Sequence, residues 1–186
     1  IGITWQASTA ATTSSIAMVT PAGGSPQVWA ASVGSYGGIE RFNPADGSSL
    51  GSFGYPVNTA GDGNFNLIPS PTGDYVYGVH YTTLDDYRPK PATIFQYKTD
   101  GSGYATFELA AYDTRGYQCL EIASDNSFAL LSNGNKIYKL NTAVEWATHS
   151  HNEDKILHSW SINDSKGAGK QQLRINSIAI LPNRSQ

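Results

Sequence analysis

"SPTGDYVYG", residues 70–78, is a polar Pro-Thr-Gly-Asp turn running into alternating large and small residues. Proline presets φ at such a turn, and Gly73 with Asp74 accepts a geometry that β-branched residues resist. The fold depends on whether this unit is a lone hairpin or one copy of a repeat. It repeats. The same apolar-then-turn order occurs in "SIAMVTPAGG" upstream, in "CLEIASDNS" downstream and in "NSIAILPNRS" near the end. Aligned on Pro21, Pro71, Asp125 and Pro182, the copies stand roughly 50 residues apart, the spacing of a supersecondary repeat.

Further elements recur inside each interval. A second strand follows the turn as "QVWAAS", "YVYGVHYT" and "FALLS", and a third as "GIERFNPADG", "TIFQYKTDG" and "KIYKLNTA". The third strands alternate with period 2: Ile39 and Arg41 against Glu40 and Phe42, Ile94 and Gln96 against Phe95 and Tyr97, Ile137 and Lys139 against Tyr138 and Leu140. That period belongs to strands, whose side chains point to opposite faces in turn. A fourth element closes each unit as "SLGSFG", "YATFELA" and "ILHSWSI". No segment sustains a period of 3.6, so almost no helix is expected. Four short strands per unit, repeated at this spacing, predict an all-β chain of β-propeller blades. The units run over 15–63, 64–116 and 117–173.

The run around "LIPSPTGDYVY", followed by "IFQYKTDG" (94–101), resembles the blades of seven-bladed propellers of the Tyr-Val-Thr-Asn repeat and lactonase-like groups. The Trp-Asp dipeptide of the Trp-Asp repeat propellers is absent. The resemblance implies fold far more than function. Three full blades are expected, with partial blades over 1–14 and 174–186. The opening "ITWQAS" reads as a fourth strand, like "HSWSIN", and "LRINSIAILPN" as a first strand. An open blade leaves strand edges bare. The expectation is therefore a segment of a larger propeller, completed by further chain or by a protein partner. A closed four-bladed ring is the alternative.

Composition narrows the function classes. The chain has 186 residues, a net charge of −3 and 15% charged residues. A phosphate-binding surface needs a basic stripe, so nucleic acid is not an expected partner. No apolar run reaches the roughly 20 residues of a membrane span. The 4 Trp, 11 Tyr and 6 Phe supply core area that disordered chains lack. Residues before 75 are dominated by Ser, Thr, Ala, Gly and Asn, a surface common on secreted proteins and virion components. Cys119 is the single cysteine, which leaves no internal disulfide to form, and it reads as a small buried hydrophobe in "YQCLEIA".

Two clusters carry candidate chemistry. The interruption "HYTTLDDYRPKPATI" (80–94) presents Asp85, Asp86, Tyr87 and Arg88, residue types that make binding hot spots for a protein or a glycan. Its plain alternative is a solvated loop stiffened by Pro89 and Pro91. The stretch "HSHNEDKILH" (149–158) offers His149, His151 and Asp154 as a metal set, since His-x-His on a strand turns both rings to one face. Its plain alternative is a polar loop. "DSKGAGKQQ" (164–172) lacks the strand-to-helix frame of a phosphate loop and reads as a linker, while Asn163 and Asn183 are formal glycosylation acceptors. No serine sits in a nucleophile elbow. A non-catalytic structural or recognition module, extracellular or on a virion, is expected, with no cofactor. The alternatives are a lactonase-like metal-dependent hydrolase, for which Glu121 is the acid on the first strands, and a carbohydrate-binding lectin propeller.

Overall fold

Alternation of period 2 organises the chain into three meanders, seen in a computed structural model that describes residues 5–9, 12–33, 38–54, 64–81, 92–109, 119–133, 136–146, 153–161 and 178–180. The first sheet comprises β1 (Thr12–Val19), β2 (Gln27–Val33), β3 (Gly38–Phe42) and β4 (Ser49–Gly54). The second comprises β5 (Asn64–Pro69), β6 (Tyr75–Tyr81), β7 (Ala92–Lys98) and β8 (Tyr104–Leu109). The third comprises β9 (Leu120–Ile122), β10 (Phe128–Asn133), β11 (Lys136–Asn141) and β12 (Ile156–Ser161). Every pairing is antiparallel between neighbours in sequence. One 3-10 turn, Glu153–Lys155, is the only helix among the described residues. The described residues are all-β, and the twelve strands among them fall on the elements expected from the repeat. An additional strand was expected over 175–181. Its described part, residues 178–180, is not in a strand, because no described strand pairs with it.

Register makes the three sheets superimposable place by place. Val79 pairs Ile94, Ala31 pairs Ile39, and Ser132 pairs Ile137. Val76 pairs Tyr97, Val28 pairs Phe42, and Ala129 pairs Leu140. Even the irregularities coincide: β3–β4 slips between Arg41 and Phe42, and β11–β12 slips between Lys139 and Leu140. Leu50 and Leu157, which the slips leave without a partner in the register, are both exposed.

The same register sorts side chains by face. One face of the first sheet (Ala17, Val19, Trp29, Ala31, Ile39) packs on one face of the second (Leu67, Val76, Phe95, Tyr97) as a buried cluster. The opposite face of the second sheet (Tyr77, Val79, Ile94, Ala105) packs on the third (Leu120, Ile122, Ala129, Leu131, Tyr138, Leu140) as another. The middle sheet is thus covered on both faces, which is why β6 and β7 read as nearly continuous aromatic and β-branched runs. The first strands lie nearest one another, β1 beside β5 and β5 near β9. Ser15 Oγ accepts from Leu67 N at 3.0 Å across the first junction.

The 70–78 turn sits inside this junction. Gly73 N donates to Ser70 O at 3.1 Å, and Gly73 O accepts from Ala22 N at 3.1 Å. Gly73 has φ +77, and a Cβ built on it would lie 2.3 Å from Thr20 O. Only glycine fits both the left-handed backbone and the approach of the neighbouring sheet. In the third sheet Asn126 takes the same place, at φ 57, with Asn126 N donating to Ala123 O. Asparagine tolerates this conformation better than most residues. The true equivalent of Pro71 is therefore Ser124 rather than Asp125: the alignment on polar residue type was one place out.

Candidate functional site

The junction between the second and third sheets holds the most developed polar cluster among the described residues. It begins at Gln96, on the face of β7 that also carries Ile94 and Lys98. Gln96 Oε1 accepts from Trp146 N at 2.8 Å, and its Nε2 donates to Val144 O and to Tyr77 Oη, each at 3.1 Å. Tyr77 Oη in turn donates to Thr142 O at 3.4 Å. One buried amide thus ties the strand to the 142–146 loop of the next sheet. The loop is held from behind as well: Thr142 Oγ1 donates to Asn126 O, and Asn126 Nδ2 donates to Thr142 O. Thr99 repeats the device in the second sheet, donating to Gly73 O at 2.8 Å. In the first sheet Pro44 stands at that place, and its carbonyl accepts from Trp5 Nε1 instead.

At the mouth of this junction Lys98 Nζ pairs with Glu145 at 2.8 Å. Beside them opens a cleft of about 330 Å³ lined by Gln96, Lys98, Ser102, Tyr104, Ala105 and Glu145. The hydrogen bond from Lys98 to Glu145 holds the ammonium charged, with its pKa above the ordinary lysine value. Burial pushes the Tyr77 hydroxyl well above the ordinary phenol range, so it stays protonated at neutral pH. Burial, and then the Glu145 charge, also raise Tyr75. This chemistry docks and orients; a nucleophile activated by a neighbouring base is not part of it. Cys119 Sγ lies 2.9 Å from Ser132 Oγ, half-buried. His158 stands edge-on to Trp160, with ring centroids 4.5 Å apart.

Of the binding and metal candidates raised from sequence, Asp154 alone lies among the described residues. Asp85, Asp86, Tyr87 and Arg88 lie outside the described residues, as do His149, His151, Asn163, Asn183 and the 164–172 stretch. Asp154 is exposed in the 3-10 turn and pairs with its neighbour Lys155. Among the described residues no group of three or more His, Cys, Asp or Glu is placed to hold a metal. No described helix is long and apolar enough to cross a membrane.

Sequence reasoning missed a recurring turn. "DGS" at 46–48, "DGS" at 100–102 and "DNS" at 125–127 share a middle residue at positive φ. Ser48, Ser102 and Ser127 N each donate to the preceding Asp Oδ1, at 2.9, 2.8 and 3.0 Å. Hydrogen bonds from those serines hold the three carboxyls below their ordinary range. The signal was available as Asp-x-Ser with Gly or Asn between.

The two end sheets offer the largest remaining feature. On the outward face of the first sheet, Ile16 is 68% exposed and Met18 57%. Their register equivalents are Leu67 and Leu120, 7% and 6% exposed, and Pro69 and Ile122. The outward face of the third sheet carries Glu121, Leu130, Ile137, Lys139, His158 and Trp160, with Trp160 43% exposed. No family model matches the chain, and no curated protein matches it.

Proposed function

We propose that this chain is a non-catalytic assembly and recognition scaffold, a run of propeller blades in an extracellular or virion-type structure. A single observation carries the reading: the middle sheet is buried on both faces, while apolar side chains stand exposed on the outer faces of its neighbours, Ile16 and Met18 on the first sheet and Trp160 on the third. A fold that extends by stacking like on like displays at its ends what it buries inside. In this reading the common axis of the blades runs beside the first strands, which lie nearest one another. The segments that join the strands are then the surfaces left for a protein partner or a glycan.

Crystallography of the chain tests this. The rotation carrying the first sheet onto the second, and the one carrying the second onto the third, must share one axis beside β1, β5 and β9. A stack without a shared axis refutes the propeller. A panel of lactones and esters, assayed with and without a chelator, tests the scaffold role. No turnover is expected, and chelator-sensitive hydrolysis would replace this reading with a metal-dependent hydrolase.

A further inference from the structure

Resting on the recognition part of that reading, we infer that the cleft between the second and third sheets binds a single neutral hexose unit, free or at the end of a glycan. Its base is Gln96 and Ala105, both buried, and its rim is Lys98, Ser102 and Glu145. Gly103 borders it, and a Cβ built on Gly103 meets nothing within 4 Å. Two places on, Ala105 adds only a methyl group to the same side of the hairpin end. Two small residues thus leave the room.

The repeat is broken at this place. In the first sheet Arg41 stands where the second has Gln96, and Gly51 where it has Ala105. The guanidinium occupies the gap: Arg41 Nη2 donates to Leu50 O at 3.1 Å and lies 3.6 Å from a Cβ built on Gly51. In the third sheet Lys139 and His158 hold the two places, long side chains where the second sheet has an amide and a methyl. The rim departs from the repeat as well. Asn43 and Asn141 take the place of Lys98, and each Oδ1 turns back onto its own turn, accepting from Ala45 N and Ala143 N. Lys98 reaches across the junction instead, to Glu145 at 2.8 Å. Asparagine suffices to close such a turn, so the lysine answers to the cleft.

Size and charge choose the ligand. At about 330 Å³ the cleft lies near the lower end of small-molecule sites, roughly 300 Å³, which suits one sugar ring rather than a chain of them. The ammonium and the carboxylate at the rim cancel, so neither an anion nor a cation gains a net partner. A zwitterion such as a free amino acid must break the ion pair to use both charges. Two neighbouring sugar hydroxyls need not. One accepts from Lys98 Nζ and the other donates to Glu145, while each charge keeps its partner, because the ammonium has three donors and the carboxylate about four acceptor sites. Hydrogen bonds to charged groups are the strong ones. The Ala105 methyl then meets the apolar C–H side of the ring.

Amide NMR of the whole chain, titrated to tens of millimolar with methyl hexopyranosides of the gluco, galacto and manno series, tests this. At least one should shift the Lys98, Ser102, Gly103 and Glu145 amides saturably. Gly103→Leu, whose side chain enters open space, should keep the folded spectrum and abolish the response. Glu145→Gln should weaken binding about tenfold, the loss of one hydrogen bond to a charged group. Inorganic phosphate and glycine, titrated alongside, should leave these amides unmoved. An array of immobilised glycans separates the sources. Binding to a terminal hexose that Gly103→Leu removes assigns a glycan, and a methyl hexopyranoside response with a blank array assigns a free sugar. No sugar response at these amides, binding that survives Gly103→Leu, or a stronger response to phosphate or glycine overturns the proposal. A failed titration leaves the shared axis of the scaffold untouched, and a stack without that axis leaves the titration untouched, so the two readings fail separately.

Discussion

Replacing Gln96 by leucine tests whether the polar cluster, rather than apolar contact alone, locks the second sheet to the third. The side chain is buried and makes three hydrogen bonds, to Trp146 N, Val144 O and Tyr77 Oη. Leucine keeps most of the volume but leaves the Trp146 amide and the Val144 carbonyl without this partner. An orphaned buried donor costs about 1–3 kcal/mol, and the second group adds to it, so the variant should lose about 2–4 kcal/mol. For a chain of this size that lowers Tm by roughly 5–15 °C. Urea and thermal unfolding followed by circular dichroism read the loss directly, with calorimetry checking that the transition is two-state. Gln96→Glu supplies a second arm. A carboxylate still accepts from Trp146 N but repels the Val144 carbonyl, and burial raises its folded-state pKa above the unfolded value. That variant should lie closest to wild type below the unfolded glutamate pKa and fall behind as the pH rises through the folded one. A Gln96→Leu protein melting within about 1 °C of wild type would refute the assignment of the junction to this amide.

Gly73→Ala should cost at least about 2 kcal/mol in urea unfolding, from the left-handed backbone together with the 2.3 Å approach to Thr20 O; a neutral result would mean that the first two sheets do not meet at this turn. Ile122→Asp places a carboxylate in the apolar cluster between the second and third sheets and should cost about 3–5 kcal/mol, so an unchanged melting curve would show the β9 register to be wrong. Ser127→Ala removes the hydroxyl that holds Asp125 below its ordinary value of 3.8, and carboxyl titration by NMR should find that pKa raised. Because the folded pKa is the depressed one, the turn's contribution is present above the unfolded value and is lost as the pH falls through the folded one. An unshifted titration would show that the Ser127 hydroxyl is not the cause.

Strands were legible because each carries its own signal. In "GIERF", "TIFQYK" and "KIYKL" the period-2 alternation even anticipates the faces, since Ile39, Ile94 and Ile137 occupy one register place and Phe42, Tyr97 and Leu140 another. The turn of Pro71 and Gly73 was legible from its residue types, and its copy was misaligned by one residue where Asn126 did glycine's work. The polar junction was not legible. Gln96 looks like any polar member of an alternating strand, and its partners lie about fifty residues away in a loop, so only the packing of one sheet on the next brings them together. The clusters of Asp, Tyr, Arg and His singled out from sequence lie, Asp154 apart, outside the described residues.

Tryptophan placement turns the stack into its own optical gauge. Trp29 is fully buried between the first and second sheets, and Trp146 between the second and third, beside Tyr77 with ring centroids 5.5 Å apart. Trp160 faces outward next to His158. Of the four tryptophans, these three therefore answer to different boundaries. Two should be blue-shifted and shielded from an aqueous quencher, while the third is accessible until something covers that face. With single-tryptophan variants, the opening of either internal boundary and the covering of the outer one become separately visible in one cuvette.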